Sequence, residues 1–412
     1  MAFQQGLSGL STASDSLNVI SNNISNASTV GYKSSNAQFS DVYASALNGT
    51  TSGNQIGIGS KVAAVSQAFT QGDITSTDNP LDIAINGDGF FRMVSNGTVA
   101  YTRDGQFHVN SSGYVVNSMG YELTGYQAAA DGTIVQASPT PLFIDTAAIA
   151  PKETTSVSLG LNLDSTDTVP STAWTYGTST PAVGSYNNST SVSVYDSLGN
   201  SHTLTMYFRS MGNGDWNTFY QLDGGATEPA AATGTADLNF SSTGALTTTM
   251  PVTLNGLAVS TGANTPMTIS LDMTGTTQYG TAFARNSMTQ DGYTSGSLSS
   301  TTVDKDGILV GSYSNGQTRN LGQVVLAKFA DPQGLTILGN NLWAESSASG
   351  QPSIGSPNSG TLGTVTGGAV ESSNVDLTSA LVDLITAQRD YQANAQSIKT
   401  QDSIMQTLVN LR

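Results

Sequence analysis

His108 and His202 are the only imidazoles in a chain of 412 residues, and no cysteine is present. Each histidine sits in an alternating, strand-like run with no second His or Cys at metal-ligand spacing, so both read as strand-surface residues. Ser201 beside His202 makes no nucleophile by adjacency alone, and no G-x-S-x-G turn occurs. Asp304-Lys305-Asp306-Gly307 copies a fragment of a calcium loop but lacks its later acidic ligands and bidentate Glu. Gly57-Ile58-Gly59-Ser60-Lys61 lacks the Gly-Lys order of a phosphate-binding loop. Carboxylates are plentiful, yet Asp88, Asp104, Asp131, Asp223, Asp291 and Asp306 all precede glycine, which marks turns before catalytic acids. These residues assign no catalytic, cofactor-binding or metal role, and the expectation is a protein that is not an enzyme and takes no cofactor.

Composition points the same way. Charged residues make up 10% of the chain, where soluble domains average about 25%, and 29 acids against 13 bases give a net charge of -16. Thirteen scattered cations cannot supply the clusters that nucleic acid or anionic lipid requires, so neither is an expected partner. No apolar run exceeds four residues, against the roughly 18 of a membrane-spanning helix. The opening MAFQQGLSGL has neither a basic region nor a long apolar stretch, so no cleavable signal peptide is expected. The 44 glycines, with abundant Ser, Thr and Asn, fit turn-rich β structure.

Helical periodicity is confined to the two ends. Leu377, Leu381, Leu384, Gln388, Tyr391, Ala395, Ile398, Asp402, Met405 and Val409 alternate four and three apart, a heptad seam on a helix expected over 374–412. Asn374 or Asp376 offers the N-cap oxygen. Phe3, Leu7, Leu10, Ser14, Leu17, Ser21 and Ile24 repeat the spacing at the N-terminus. Gly6 and Gly9 weaken that helix by ~1 kcal/mol each but would let a partner helix approach closely. Opposite the C-terminal seam stand Ser379, Thr386, Ala393, Thr400 and Thr407, where a solvated helix would carry Glu and Lys. Small neutral residues suit a helix packed among copies of itself, and an isolated pair with such interrupted seams is marginal. Between the ends the period is two. Phe90–Val94, Thr98–Thr102, Gln106–Val109 and Tyr114–Asn117 read as a β meander, and alternating runs over 192–222 and 293–329 as further β structure.

Several stretches resemble the rod and hook axial proteins of the bacterial flagellum, its hook branch most closely. SGLSTASDSLNVISNNISNASTVGYKSS carries the N-terminal motif at Asn22, Asn23, Asn26, Gly31, Tyr32 and Lys33. GGAVESSNVDLTSALVDLITAQRDYQANAQSIKTQDSIMQTLVNLR carries the C-terminal one, with Asn374, Val375, Asp376, Gln388 and Arg389. PLDIAINGDGFF, YTRDGQFHVN and LGQVVLAKFADPQGL are similar to the family's inner β domain. The resemblance implies a multidomain α+β fold whose terminal helices pair as a coiled-coil inner domain with two mainly-β domains inserted between them. The expected division is a helical inner-tube domain at 1–30 and 366–412, a linker ordered on assembly at 31–70, an inner β domain at 71–145 and 281–365, and a variable outer β domain at 146–280. The implied function is a structural subunit that polymerises with its own copies into a curved hollow tube, a universal joint carrying motor torque to the filament. By the same resemblance its partners are the distal rod protein, the hook cap, the hook–filament junction proteins and the type III export apparatus, and its place is outside the cell. Two alternatives stand beside this: a distal rod-type protein, or a phage-tail or adhesin-like β module with Trp174, Trp216 and Tyr186 as sugar-contacting aromatics.

Overall fold

In the computed structural model, which describes residues 2–43, 57–225, 228–229 and 236–410, both periodic ends are helical. Helix α1 spans Ala2–Ser25 and α2 spans Leu377–Asn410. Of the two cap candidates Asp376 serves: its Oδ1 accepts from the backbone N–H of Thr378 (2.8 Å) and Ser379 (3.2 Å), occupying donors that a helix start leaves free. Helix α1 stops in the Asn-rich stretch, where Thr29 N–H turns back to Asn26 O at 3.1 Å. The described residues between the helices are strand and turn, apart from a single 3-10 turn at Pro332–Gly334.

Two compact units divide the chain. The first comprises 1–146, 300–312 and 318–412. Its main sheet runs in the order Thr318–Val324, Glu122–Gln127, Phe90–Ser95, Thr98–Thr102, Leu342–Ala344, Thr336–Gly339, antiparallel throughout. The turn at Asn96-Gly97 sets the register of the Phe90–Ser95 hairpin; both residues have positive φ (49° and 81°), the geometry that matches strand twist and that Asn-Gly tolerates. Beneath the sheet Phe90, Tyr101, Phe329, Leu335 and Trp343 form an aromatic core, with Phe69 edge-on to Phe90 and Trp343 at 5.5 and 5.7 Å.

Within 31–70, the expected linker, Ser35–Tyr43 and Gly57–Gln67 pair antiparallel and lie on α1. The described parts are therefore strand where a linker is expected. Their alternation is of Ser, Ala, Gly and Gln rather than of large apolar residues, so the period-two signal is faint; residues 44–56 lie outside the described residues. The segment 345–368, whose Ser, Gly and Pro content reads as an extended connector, contains the strands Ser353–Gly355 and Thr364–Gly367, the latter paired with Ile83–Asn86. Within 366–371, expected with the helical domain, Thr366 and Gly367 end one strand and, after a bend at Gly368, Ala369–Glu371 pairs with Ile74–Ser76.

The second unit comprises 147–299 and 313–317. Two sheets enclose one core. Ser156–Asp164, Val252–Leu257 and Met267–Asp272 supply Val157, Leu159, Leu161, Leu163, Leu254, Ile269 and Leu271, and Asn188–Tyr195, Ser201–Gly212 and Asp215–Leu222 supply Val192, Val194, Leu204, Met206, Phe208 and Trp216. Each set alternates along its strand, as a sandwich requires. This unit reaches past 280 because Ala284–Gln290 pairs with Ser156–Asp164. Trp216 is fully buried and so cannot contact a sugar, and half-buried Trp174 stacks on Phe219 at 4.1 Å, with Tyr186 edge-on and Tyr207 tilted beside it, so these rings pack on one another.

The histidines part company. His108 is exposed as expected, but His202 is buried between Asp196 and Asp223. A single strand sequence cannot show that a neighbouring strand end supplies a carboxylate to a buried position. The Asp-Gly residues also divide: Asp131 and Asp104 accept from the N–H two residues on, as turn residues do, whereas Asp291 reaches across to Thr155 and Ser156. Asp304 likewise spends its Oδ1 on the N–H of Asp306 and Ile308, as a turn residue does.

Candidate functional site

The two terminal motifs meet at the root of the helices. Where α1 ends, the Tyr32 hydroxyl donates to Asn22 Oδ1 (2.7 Å) and Asn23 Oδ1 (3.1 Å); burial pushes its pKa up and keeps it protonated for that task. Asn23 uses its whole amide on Ser35, donating to its carbonyl at 2.8 Å and accepting from its N–H at 2.9 Å, as a neighbouring strand would. Asn26 donates back to Asn22 O. Asn374, just ahead of α2, accepts from Ser34 N–H (2.8 Å) and donates to Ala68 O (2.7 Å) and Thr70 Oγ1 (2.9 Å). One side chain thus joins three distant segments.

At the centre lies a buried carboxylate. Glu371 Oε1 accepts from Lys33 Nζ at 2.7 Å and from Gly72 N–H at 2.8 Å, while Oε2 accepts from Arg103 Nη1 at 3.1 Å. Lys33 completes its shell on Thr70 O (2.7 Å), and Arg103 donates to Gly87 O (2.8 Å) and stands 5.5 Å from the centre of the Phe90 ring. All three charged residues are buried. Burial pulls the Lys33 ammonium below its ordinary range, Glu371 opposes that pull, and Arg103 adds to it. Two cations share one anion, so removing the anion would be far more costly than removing either cation. Gly31 closes the arrangement: its N–H donates to Glu371 O at 2.8 Å, its φ is +66°, and a Cβ there would stand 2.6 Å from Asp104 N.

The helices run antiparallel, with Gly6 against Ile398 and Gly9 against Asn394. The line of α1 facing α2 is Gly6, Gly9, Ala13, Ser16, Ile20 and Asn23, all buried or half-buried. That is the expected heptad moved one residue toward the N-terminus. On α2 the covered positions are Ala380, Leu384, Ala387, Asn394, Ile398 and Gln401. Leu384 and Ile398 belong to the expected seam, as does half-buried Ala395, and on α1 Leu10, Leu17 and Ile24 are half-buried on the flank. Phe3, Leu7, Leu377, Leu381, Tyr391, Met405 and Val409 are exposed, Val409 to 72%. The pair closes on its small residues because backbones can then approach, which leaves the large apolar stripe on a second face. Small residues also leave room: a groove of about 400 Å³ separates Ser16, Ile20 and Asn23 from Ala380, Ala387 and Asp390.

Among the remaining motif residues, Val375 is half-buried, Asp376 caps α2, and Gln388 and Arg389 are exposed on α2. Glu371 and Arg103 are the functional residues whose role sequence spacing does not give; they lie 338 and 70 residues from Lys33, and no local pattern pairs them.

Four family models match parts of the chain: a flagella basal body rod protein model at 3–33, a flagellar hook protein FlgE/F/G D1 domain at 84–162, a flagellar basal body protein FlaE D2 domain at 162–293, and a flagellar basal body rod FlgEFG protein C-terminal model at 366–411. The flagellar hook protein FlgE of Escherichia coli K12 is 43% identical over 417 residues, covering 100% of both chains. The chain belongs to the flagellar hook protein family. The hook proteins FlgE of Brucella suis and Borreliella burgdorferi are 33% and 30% identical, each over 99% of this chain and 98% of their own. The fold agrees with a crystal structure of the Helicobacter pylori hook protein FlgE2, with a TM-score of 0.51 at 15% identity, covering 71% of this chain and 99% of that one. Full-length similarity to hook proteins displaces the rod-type and adhesin-like alternatives. Hook-family proteins are structural components of the extracellular flagellum and not an enzyme family, and no described helix here is long and apolar enough to cross a membrane.

Proposed function

We propose that this hook-family chain builds a tube by burying, between copies, the large apolar face that its own helix pair leaves open. The supporting observation is the displaced seam: Phe3, Leu7, Leu377, Leu381, Met405 and Val409 stand exposed on helices already paired through other residues. Fully burying one such side chain yields about 1.5–3 kcal/mol, so a handful per subunit suffices to drive polymerisation. The helices then form a coiled-coil inner layer, the strand pair within 31–70 packs against neighbouring copies, and the β units form the outer layers. Torque passes from helices to β body through the Glu371 root, while weakly charged outer surfaces slide as the tube bends. The distal rod, hook cap, hook–filament junction proteins and type III export apparatus are its partners.

Leu381→Asp tests this reading cleanly. Leu381 is exposed in the single chain, so monomer stability is expected to change by no more than about 0.5 kcal/mol in urea unfolding. Polymerisation, followed by light scattering and electron microscopy, is expected to be lost. Tubes that form at the wild-type rate would show that this face is not the assembly face. Leu384→Asp, in the intramolecular seam, should weaken the helix pair as well as assembly and leave the β units folded.

A further inference from the structure

The second unit holds a charged cluster built around the buried His202 and Asp196. His202 Nδ1 lies 2.5 Å from Asp223 Oδ2, and Nε2 lies 3.2 Å from Asp196 Oδ2. A carboxylate only accepts and a neutral imidazole has one N–H to give, so both bonds coexist only when the ring carries two protons. Asp196 is fully buried; its Oδ1 accepts from the N–H of Leu198 and Asn200, and its Oδ2 accepts from Asn200 Nδ2 and, at 2.5 Å, from Thr261 Oγ1. Asp223 also receives Thr203 N–H at 2.7 Å. With both ring nitrogens occupied, the histidine can act neither as a base nor as a metal ligand.

The turn it holds has a seat. Gly199, in the turn between Asp196 and Asn200, has φ +83°, and a Cβ there would come within 2.7 Å of Pro151 Cβ and 3.4 Å of Thr294 Cα. Pro151 and Thr294 lie on two segments bridged to each other at Ile149–Gly296 and Lys152–Tyr293.

We propose that His202 is a proton-keyed clasp: as an imidazolium it pins the Asp196 turn onto the bridged segments 149–152 and 293–296, and loss of its proton frees them. Burial by itself would lower the histidine pKa, but the hydrogen bonds and charges of Asp223 and Asp196 raise it above the ordinary value. Burial would raise Asp196, yet Thr261, Asn200 and His202 hold it well below the carboxylate range. Asp196 from its turn and Asp223 from the neighbouring strand end are the charged groups that face the ring; the loop at Thr261 brings only a hydroxyl. A base raised on folding adds stability below its unfolded pKa, about 6.5, and loses it as pH climbs through the folded value. A depressed Asp196 adds stability above about 3.9 and loses it in strong acid. The clasp is therefore closed between those limits and opens on the alkaline side.

The test is a histidine-ring NMR titration of the full chain, with His108→Gln assigning the His202 signal. His202 is expected to titrate above the midpoint it shows in the urea-unfolded chain, and Asp223→Asn, at a half-exposed site, to bring the midpoint down. Across that midpoint, hydrogen exchange corrected for intrinsic rates should rise roughly tenfold at Leu198 and Asn200 and at 149–152 and 293–296. His202→Gln should abolish the step. A midpoint at or below the unfolded value, or protection of the turn that ignores the midpoint, overturns the proposal.

Discussion

Glu371→Ala is expected to destabilise the first unit by about 3–5 kcal/mol, because it leaves Lys33 and Arg103 buried with no counter-charge and strips Gly72 N–H of its acceptor. Lys33→Ala should cost less, since Arg103 remains on the carboxylate. Urea unfolding of monomers gives both numbers, and the double variant supplies the coupling. The second unit, which contains none of these residues, should unfold as in the wild type. A loss below about 1 kcal/mol for Glu371→Ala would mean that water or a shifted backbone answers the two cations, and the root would not be the rigid element described above.

Gly31→Ala is the second large effect. The left-handed φ alone costs a β-carbon about 1–2 kcal/mol, and here the added carbon also meets the Arg103–Asp104 backbone at 2.6–2.7 Å, which no rotamer can relieve. A total of about 3 kcal/mol or more is expected, with the Gly31–Glu371 backbone bond lost. Gly97→Ala is the control: its φ is +81°, but nothing lies within 4 Å of the added carbon, so only the conformational part should appear. Equal losses at the two positions would remove the steric argument.

The periodic ends and the four strands of the expected meander were legible because each rests on a repeat that a single chain displays; their pairing was not, since Thr98–Thr102 pairs with Phe90–Ser95 and Leu342–Ala344, and Phe107–Val109 with Val115–Asn117, so the run is two hairpins and not a meander. Helix α2 is found within three residues of its expected start, and Thr98–Thr102 has the expected limits. The face that the helices use on each other was not legible from apolar spacing. That spacing marks the leucine stripe, whereas the pair closes on Gly6, Gly9 and Ala13, whose contribution is the absence of bulk. The two glycines did signal close approach, and on this they were the better guide. The Glu371 root and the His202 clasp were illegible for another reason: each joins segments that only the tertiary fold brings together, so no window of sequence contains the pair.

The separation of Lys33 from Glu371 carries a consequence for synthesis and delivery. The carboxylate that answers the two buried cations stands 338 residues downstream of the lysine, close to the end of the chain. A copy cut short anywhere before it must either expose those cations or leave them unanswered in the interior. Polypeptides terminated before residue 371 are thereby denied a stable root, whereas one cut between Glu371 and the end of α2 would keep the ion cluster and lose the helix.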